Sequence, residues 1–469
     1  MFRMNILDKY LKKYTKMSER ELSHSVQSNL WFTPVLYVIF SSLLVTATLT
    51  TDLKYDLGNQ MRPFFAVDYD LTRNLVGTLT AAILTLTTFT FNLILVVFTT
   101  FSGQFSPRML KNFIASKSTQ RVLGIFTSSF IYMLLSFLLL NKRLAEYYFA
   151  VPLFAAIIAA FSMGTFIFFI NHAVAWLQVN QMTYDMKKEA LSIVKNTLEN
   201  EVDPYKVDDL SEVNNDICEN AGTMIMARKS GFIQLVDFNS IMQEAKKDDI
   251  VIQLEYSIGS YVYASTPYIT YWTKEDKEIN EEKYLSLVSI GRRQTEVQDI
   301  EFSINKLVEV AIRSLGNYDP KTTINAIYQL GEVLASISRN SLFSKYLVDK
   351  ENNLRVVLQE RDFSHYLYNA FGYIRHYAKD NIIICTEILK VLDLMAKSVN
   401  ERDYEAVWKF GVFTASGFED LFLFTLDYQQ FHRAMHNLAV TTKHEKEYEE
   451  FLEKEKQNQF QSNKKGSEK

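Results

Sequence analysis

Cysteine is almost absent from this chain: only Cys218 and Cys385 occur in 469 residues. Two thiols so far apart supply neither a disulfide framework nor a metal cluster, which suits a reducing compartment. Excess positive charge is also lacking. The net charge of −4 argues against a nucleic-acid partner. Enzyme signatures are missing too. There is no phosphate-cradling P-loop, no G-x-G-x-x-G and no G-x-S-x-G nucleophile elbow. His444-Glu445 opens like a zinc-peptidase motif, but Tyr448 stands where the second His is required. His432 and His436 are one helical turn apart without a third ligand nearby in sequence, so they read as a surface pair. The chain is therefore expected to be no enzyme and to use neither cofactor nor metal.

The most informative absence is that of charge. No Asp, Glu, Lys or Arg occurs in residues 25–51, 74–107, 122–141 or 147–184. Each stretch can hold the roughly 20 apolar residues that cross about 30 Å of hydrocarbon. Beyond residue 185 charge is dense and no such run recurs. The reading is a four-helix transmembrane domain over residues 25–178, with helices at about 30–50, 75–101, 122–140 and 151–176. The first stretch is too long for the apolar part of a signal peptide and lacks an A-x-A site before Asp52, so it reads as a retained anchor. With the N-terminus inside, the inner segments 1–24, 103–121 and 185–195 carry thirteen Lys and Arg, against five in the outer loops. That asymmetry predicts a multi-pass membrane protein with both termini cytoplasmic. In residues 1–24, Met4, Leu7, Leu11 and Tyr14 stand against Lys9, Lys12, Lys13 and Lys16. Two readings stay open there: a basic amphipathic helix on the anionic leaflet, or a solvated tail.

The second stretch carries a pattern inside its apolar run. Thr78, Thr85, Asn92 and Thr99 recur every seventh residue, with Ala81, Thr88 and Ser102 between them. Seven residues are nearly two turns, so these side chains form one small, polar seam. A helix facing only lipid has no use for it; the seam must meet another helix, a ligand or water. Packing and permeation both stay open. Small polar residues glue membrane helices at ~0.6–2 kcal/mol per contact, whereas hydroxyls and amides around an oligomer axis can line a path. The lack of Asp and Glu on the seam counts against proton- or cation-coupled transport. In helix four, Ser162 and Gly164 are expected to let a neighbour approach closely. His172, near the inner end, reads as a packing residue ahead of a proton switch.

Past Trp176 the residues Met182, Met186, Ala190, Ile193 and Leu198 keep a helical period while charge returns. This predicts that helix four continues as a stalk or linker over 179–219, stopped by Asp203-Pro204. Residues 220–290 change period. Short strands are expected at 230–234, 250–256 and 261–272, with a helix through Ala245 and breaks at Gly259 and Pro267. The order resembles the barrel-sandwich of biotinyl/lipoyl-like domains, and Ile258-Gly259-Ser260-Tyr261-Val262 resembles their G-D-x-V turn. No Lys occupies the tip where a carrier domain is modified. Residues 291–442 read as helical. Ile300, Ile304, Leu307, Val308, Ala311 and Leu315 share a face that Gly316 ends, and Asp319-Pro320 supplies an N-cap and first-turn proline for the next helix. Further helical patterns cover 361–379, 381–399 and 403–441, and the charged tail 443–469 is expected to be disordered. The fold class is thus membrane α-helical, with four transmembrane helices, plus a cytoplasmic α+β region. In that region a small β-rich, barrel-sandwich-like module precedes a helical domain.

The end of the seam helix carries a longer motif. Ser102-Gly103-Gln104-Phe105-Ser106-Pro107-Arg108-Met109-Leu110, followed by Asn112-Phe113, resembles the S-x-Q-F-S-P-R-x-L-x-x-F run of a bacterial membrane-protein family catalogued as domain of unknown function 2254. Residues 120–126 and Phe169-Ile170-Asn171-His172 resemble further segments of it. Gly291-Arg292-Arg293-Gln294-Thr295, Gln298-Asp299, Leu307-Val308, Ala311 and Arg313 are similar to its G-R-x-R-T-x-x-Q-D…L-V-x-x-A-x-R run, with Gln294 replacing an Arg. Asp319-Pro320 matches the end of its S-P-G-x-N-D-P turn, whose earlier positions differ here. The resemblance covers roughly residues 25–400 and implies an architecture and an inner-membrane location without an established chemistry.

Three candidate regions result. The membrane seam is Thr78, Thr85, Thr88, Asn92, Thr99 and Ser102, accompanied by His172 in helix four. The inner-mouth motif is Gln104, Phe105, Ser106, Pro107 and Arg108; Arg108 reads either as a gate or lipid-phosphate ligand or as an interfacial turn residue. The cytoplasmic motif is Gly291, Arg292, Thr295, Asp299, Arg313 and Asp319, where the Arg pair reads as an anion grip or as solvated charge. Expected partners are the lipid bilayer and further copies of the same chain, with the ligand unassigned. The leading expectation is a non-enzymatic oligomer, an ion or solute conduit with a cytoplasmic sensing or assembly domain. The alternative is a membrane-anchored scaffold or signalling protein without a permeation path.

Overall fold

A computed structural model describes residues 32–55, 66–104, 116–207, 213, 222–273, 279–341, 343–359, 361–416 and 424–454. The segment 1–24, the Phe105–Arg108 run and the tail beyond 454 lie outside the described residues. The chain divides into two units, Met1–Gln178 and Val179–Lys469.

The uncharged stretches become four helices, each long and apolar enough to cross a membrane. They are α1 (Phe32–Tyr55), α2 (Tyr69–Gln104), α3 (Lys117–Leu139) and α4 (Ala150–Leu177). The 36 residues of α2 start earlier than the charge pattern suggests, because Asp68 accepts the N–H of Leu71 at 3.3 Å and Asp70 suits the positive helix end. In this bundle α3 packs against α1, α2 and α4. Small residues make those approaches. A Cβ on Gly124 would come within 3.1 Å of the Tyr37 ring. Ser41 Oγ donates to the Ser128 carbonyl at 2.6 Å, and Ser162 Oγ to Ser129 Oγ at 2.9 Å. Gly164 departs from expectation: no neighbour lies within 4 Å of its Cβ position, since two residues past buried Ser162 the helix faces away.

One ionisable side chain organises the end of the bundle where α1–α2 and α3–α4 are connected. Asp52, 1% exposed, accepts the N–H groups of Phe149 and Ala150 on Oδ1 at 3.1 and 2.8 Å, and that of Val151 on Oδ2 at 2.9 Å. A carboxylate from α1 thus satisfies the orphan donors of α4 and meets its positive dipole end. Beside it, β1 (Val67–Asp68) pairs antiparallel with β2 (Tyr147–Tyr148).

The helix does not run on as a stalk. At Gln178 the backbone turns extended, with φ −84° and ψ 109°. The next helix, α5 (Val179–Ile193), buries Met182, Met186, Ala190 and Ile193 and belongs to the second unit. It continues as π-helical turns, Val194–Val202, and ends in a 3-10 turn at Asp203-Pro204, where proline stops it. The strands that follow form two sheets. Strands β3 (Lys206–Val207), β4 (Thr223–Met226), β6 (Ile250–Leu254), β8 (Pro267–Thr273), β10 (Tyr346–Val348) and β11 (Leu354–Val357) make a six-stranded sheet in the order β3-β10-β11-β6-β8-β4. Strands β5 (Gly231–Val236), β7 (Tyr261–Val262) and β9 (Val288–Gly291) form the smaller sheet in the order β7-β5-β9. The pairing therefore does not close within residues 220–290. The larger sheet recruits β10 and β11 from inside the stretch expected to be helical, with β11 parallel to β6. Helix α6 (Phe238–Asp248) covers β6 and β11, and Ile241, Met242, Ile252, Leu254, Ile269 and Val356 meet in the shared core.

The helical part holds α7 (Glu281–Leu287), α8 (Ile300–Gly316), α9 (Pro320–Asn340), α10 (Phe363–Leu367), α11 (Tyr373–Ala378), α12 (Ile382–Ala396), α13 (Tyr404–Ala415) and α14 (Thr425–Thr442). Asp319 caps α9 as expected, accepting the Thr322 N–H at 3.2 Å, with Pro320 in the first turn. Helix α5 packs on α8 and α9. The tail expected to be disordered is helical over residues 445–454. Tyr448 is buried there and its hydroxyl donates to the His432 carbonyl at 3.2 Å, so an aromatic anchor outweighs the local charge.

Candidate functional site

Helix α2 presents the two faces of one apolar helix differently. Thr72, Val76, Ile83, Thr90, Ile94 and Val97 are buried in the bundle. Thr78, Thr85, Thr88, Asn92 and Thr99 are exposed. At 100° per residue the seam is centred roughly 180° from the buried row. The seam thus turns away from its own bundle, among exposed Leu84, Phe89, Leu95 and Val96. Ser102 and Gln104 lie in the last turn of α2.

Three of the four seam threonines are satisfied locally. Thr85 Oγ1 donates to the Ala81 carbonyl at 2.9 Å, Thr88 Oγ1 to Leu84 at 2.9 Å, and Thr99 Oγ1 to Val96 at 3.0 Å. Such back-bonding lets Thr face hydrocarbon at little cost. Asn92 has no such remedy. Among the described residues nothing hydrogen-bonds its exposed amide, and an unmet amide in hydrocarbon costs several kcal/mol. His172 sits half-buried on α4 between Phe168 and Trp176, with ring centroids at 6.0 and 6.3 Å.

The motif of the second unit does not form a single cluster. Gly291 ends β9, where a Cβ would collide with the Gln234 side chain at 2.2 Å. Thr295 Oγ1 donates to the Gln234 carbonyl at 3.4 Å. Arg292 and Arg313 are exposed, and Asp319 serves as a helix cap. Asp299 is different. It is 3% exposed and its Oδ1 caps α8 by accepting the Phe302 N–H at 2.9 Å. Its Oδ2 rests against Gly259, accepting no hydrogen bond. Glycine is required at that turn twice over: φ is +85°, and a Cβ would lie 2.2 Å from Oδ2. Burial pushes the Asp299 carboxyl up to about 6, against the pull of the Phe302 N–H.

Asp299 lines a cavity of about 120 Å³ within the second unit. Phe238, Tyr256, Phe343 and Tyr366 give it an aromatic wall. Its cations are already paired: Lys206 with Asp203 at 3.0 Å, and Arg361 with Glu301. Gln298 is saturated by the backbone of Val236 and by Glu201. The motif pointed to Asp299 but not to the cavity, because the wall gathers residues from Thr197 to Tyr366. A second buried cluster sets Lys306, 2% exposed, between Glu189 at 2.8 Å and Glu296 at 2.7 Å. Burial and the neighbouring Glu296 carboxyl push Glu189 up to about 7, more than Lys306 pulls it down. Glu405, His444 and Glu447 bring metal-type ligand atoms within 4.8 Å. Hydrogen bonding accounts for that group: His444 Nε2 meets Glu405 at 2.8 Å while its ring stacks on Trp408.

Four membrane-length apolar helices joined to an α/β unit define a multi-pass membrane protein. Residues 27–393 match the family described as "Predicted membrane protein (DUF2254)", and the chain belongs to that family. It is similar to "Uncharacterized protein Mb1321c" of Mycobacterium bovis and to "Uncharacterized protein Rv1290c" of Mycobacterium tuberculosis. Each is 24% identical over 308 residues, covering 63% of this chain and 58% of the relative. The chain thus spans under two thirds of the length of these relatives. No solved structure matches.

Proposed function

We propose that this is a non-enzymatic membrane protein whose copies associate along the α2 seam, around an axis that conducts an ion or small solute. It sits in the inner membrane with both termini cytoplasmic, and the α/β unit senses or assembles on that side. The exposure of Asn92 on the face of α2 opposite the buried row supports this reading. Sister copies that bring Asn92 together supply the donors and acceptors that lipid lacks. The test is reconstitution into liposomes, comparing ion flux and cross-linked oligomer between native protein and Asn92→Leu. Native flux that falls with Asn92→Leu supports the conduit. Background flux in both, with oligomer retained in the native protein alone, supports the second reading: a membrane-anchored scaffold. One observation favours that alternative, namely that Thr85, Thr88 and Thr99 bond their own helix and need no water.

A further inference from the structure

Two costs meet at Tyr318, in the turn between α8 and α9. At 94% exposure it is the most open large apolar side chain among the described residues. It also occupies the left-handed backbone region, at φ +58°, where a side chain costs more than glycine. The turn that closes α8 imposes that angle: the N–H groups of Asn317, Tyr318 and Asp319 donate to the carbonyls of Arg313, Leu315 and Ser314 at 2.9, 3.2 and 2.9 Å. Glycine is the usual residue at such a position. Lys321 adds a third unfavourable choice. It is exposed in the first turn of α9, where the helix dipole favours an anion.

Helix register places this turn. Asn325 Nδ2 of α9 donates to Asn180 Oδ1 of α5 at 3.0 Å, and seven residues further along each helix Lys187 Nζ meets Glu332 at 2.8 Å. The two helices therefore run parallel and in step. Pro320 precedes Asn325 by five residues whereas Val179 precedes Asn180 by one, so α9 extends about 6 Å beyond the start of α5. The turn 316–319 lies further out still. Val179 itself stands three residues after Trp176, where the fourth candidate span ends, a reach of about 10 Å at most. An overhang of about 6 Å matches the headgroup layer, which is roughly 5–8 Å thick on each side of the hydrocarbon.

We infer that the turn 316–319 docks on the lipid surface, with the Tyr318 ring in the headgroup layer and Lys321 against anionic lipid. Tyrosine suits that layer because its ring is apolar while its hydroxyl stays wet. Anionic headgroups supply the negative charge that favours Lys321 at the head of α9, where Asp319 already spends Oδ1 on the Thr322 N–H. Exposed Arg313 adds positive charge beside the turn. One aromatic residue is a weak anchor for a free protein. Here α4 already tethers the unit to the membrane, so docking is intramolecular. The inference uses the membrane spans alone and stands whether or not α2 conducts.

A spin label on Asn317→Cys keeps Tyr318 native and reports its surroundings, with Cys218→Ala as the background and Cys385 buried. The reference label is on Lys350→Cys, exposed in the turn between β10 and β11; β10 pairs with β3, beyond the other end of α5. The full-length protein is reconstituted into phosphatidylcholine vesicles with and without phosphatidylglycerol. Collisions of the label with oxygen are compared with those of a water-soluble nickel chelate. With phosphatidylglycerol present, the label at 317 is expected to favour oxygen and the label at 350 the chelate. Tyr318→Gly suits φ +58° and keeps the turn, and is expected to return the label at 317 to the reference behaviour. Lys321→Gln is expected to lower the docked-to-free ratio about fivefold with phosphatidylglycerol and little without it. An equal ratio for native protein and Lys321→Gln overturns the part given to anionic lipid. A label at 317 that matches the reference with Tyr318 in place, or that ignores Tyr318→Gly, overturns the docking. Occlusion from both relaxants, or dipolar broadening between labels, overturns it too, because the turn then meets protein of its own chain or of a second copy.

Discussion

In the four-helix unit the buried polar side chains are mostly hydroxyls that bond their own helix or the next one, and the deeply buried acid Asp52 spends its oxygens on three backbone N–H groups. In the α/β unit several buried charges instead meet other charges. Lys306 lies between two glutamates, and Arg355 reaches both Asp349 and Asp249 at 2.8 Å. The contrast follows from what each chain segment has as an alternative. A helix destined for hydrocarbon has no water to fall back on, so its polar groups, Asn92 excepted, are mostly satisfied within a turn, on the next helix or at a helix end. A unit folding from water can leave some charges partly wetted, as Glu189 is, and pairs them across elements distant in sequence.

The sharpest way to break that contrast is to remove one partner of a buried pair. Lys306→Met leaves Glu189 and Glu296 facing each other and is expected to cost about 4 kcal/mol at pH 8. Denaturant unfolding of the full chain in detergent measures it, and a loss below about 1 kcal/mol would show that the charges contribute little. Asp52→Ala comes next. It strips three donors at the start of α4 and is expected to cost about 3 kcal/mol, with Asp52→Asn intermediate. Thermal unfolding of both variants tests this, and equal midpoints for Asp52→Ala and native protein would refute the cap.

A smaller effect concerns pH. Glu189 holds its proton up to about 7 when folded, against 4.5 for the free side chain. Between those values the folded state binds the extra proton, so its stability falls as pH rises through the window. The slope lies below the full ~1.4 kcal/mol per pH unit, because a third of the side chain is open to solvent. Glu189→Gln is expected to flatten the slope measured from pH 5 to 7. The smallest change is Thr85→Val, within about 0.5 kcal/mol, since the hydroxyl bonds only Ala81. A larger loss in detergent-solubilised oligomer would mean that the hydroxyl serves a sister helix.

Elements dictated by neighbours in sequence were legible. The charge-free windows located all four membrane helices, and Asp319-Pro320 located the start of α9. The alternation after Ser230 and after Asp249 located β5 and β6. The hairpin of β10 and β11 was not legible. Its strands are short, and its turn is built from Asp349 accepting the N–H groups of Glu351 and Asn353, with Asn352 at φ +58°. That acidic, amide-rich turn was the available signal. Asp52 gave no local signal, because its partners are 97 to 99 residues away. Asp299 was visible through its motif, but its cavity was not.

The seam at Thr78, Thr85, Asn92 and Thr99 shows where local information ends. Spacing alone determined that these side chains share one side of a helix, because helical geometry is a property of the backbone. The charge-free run of residues 74–107 likewise determined that the helix belongs in hydrocarbon. Which side meets the protein was decided only when Val76, Ile83 and Val97 packed against the rest of the bundle. Burial is a contest between two faces of the same helix, and the apolar row opposite the seam won it.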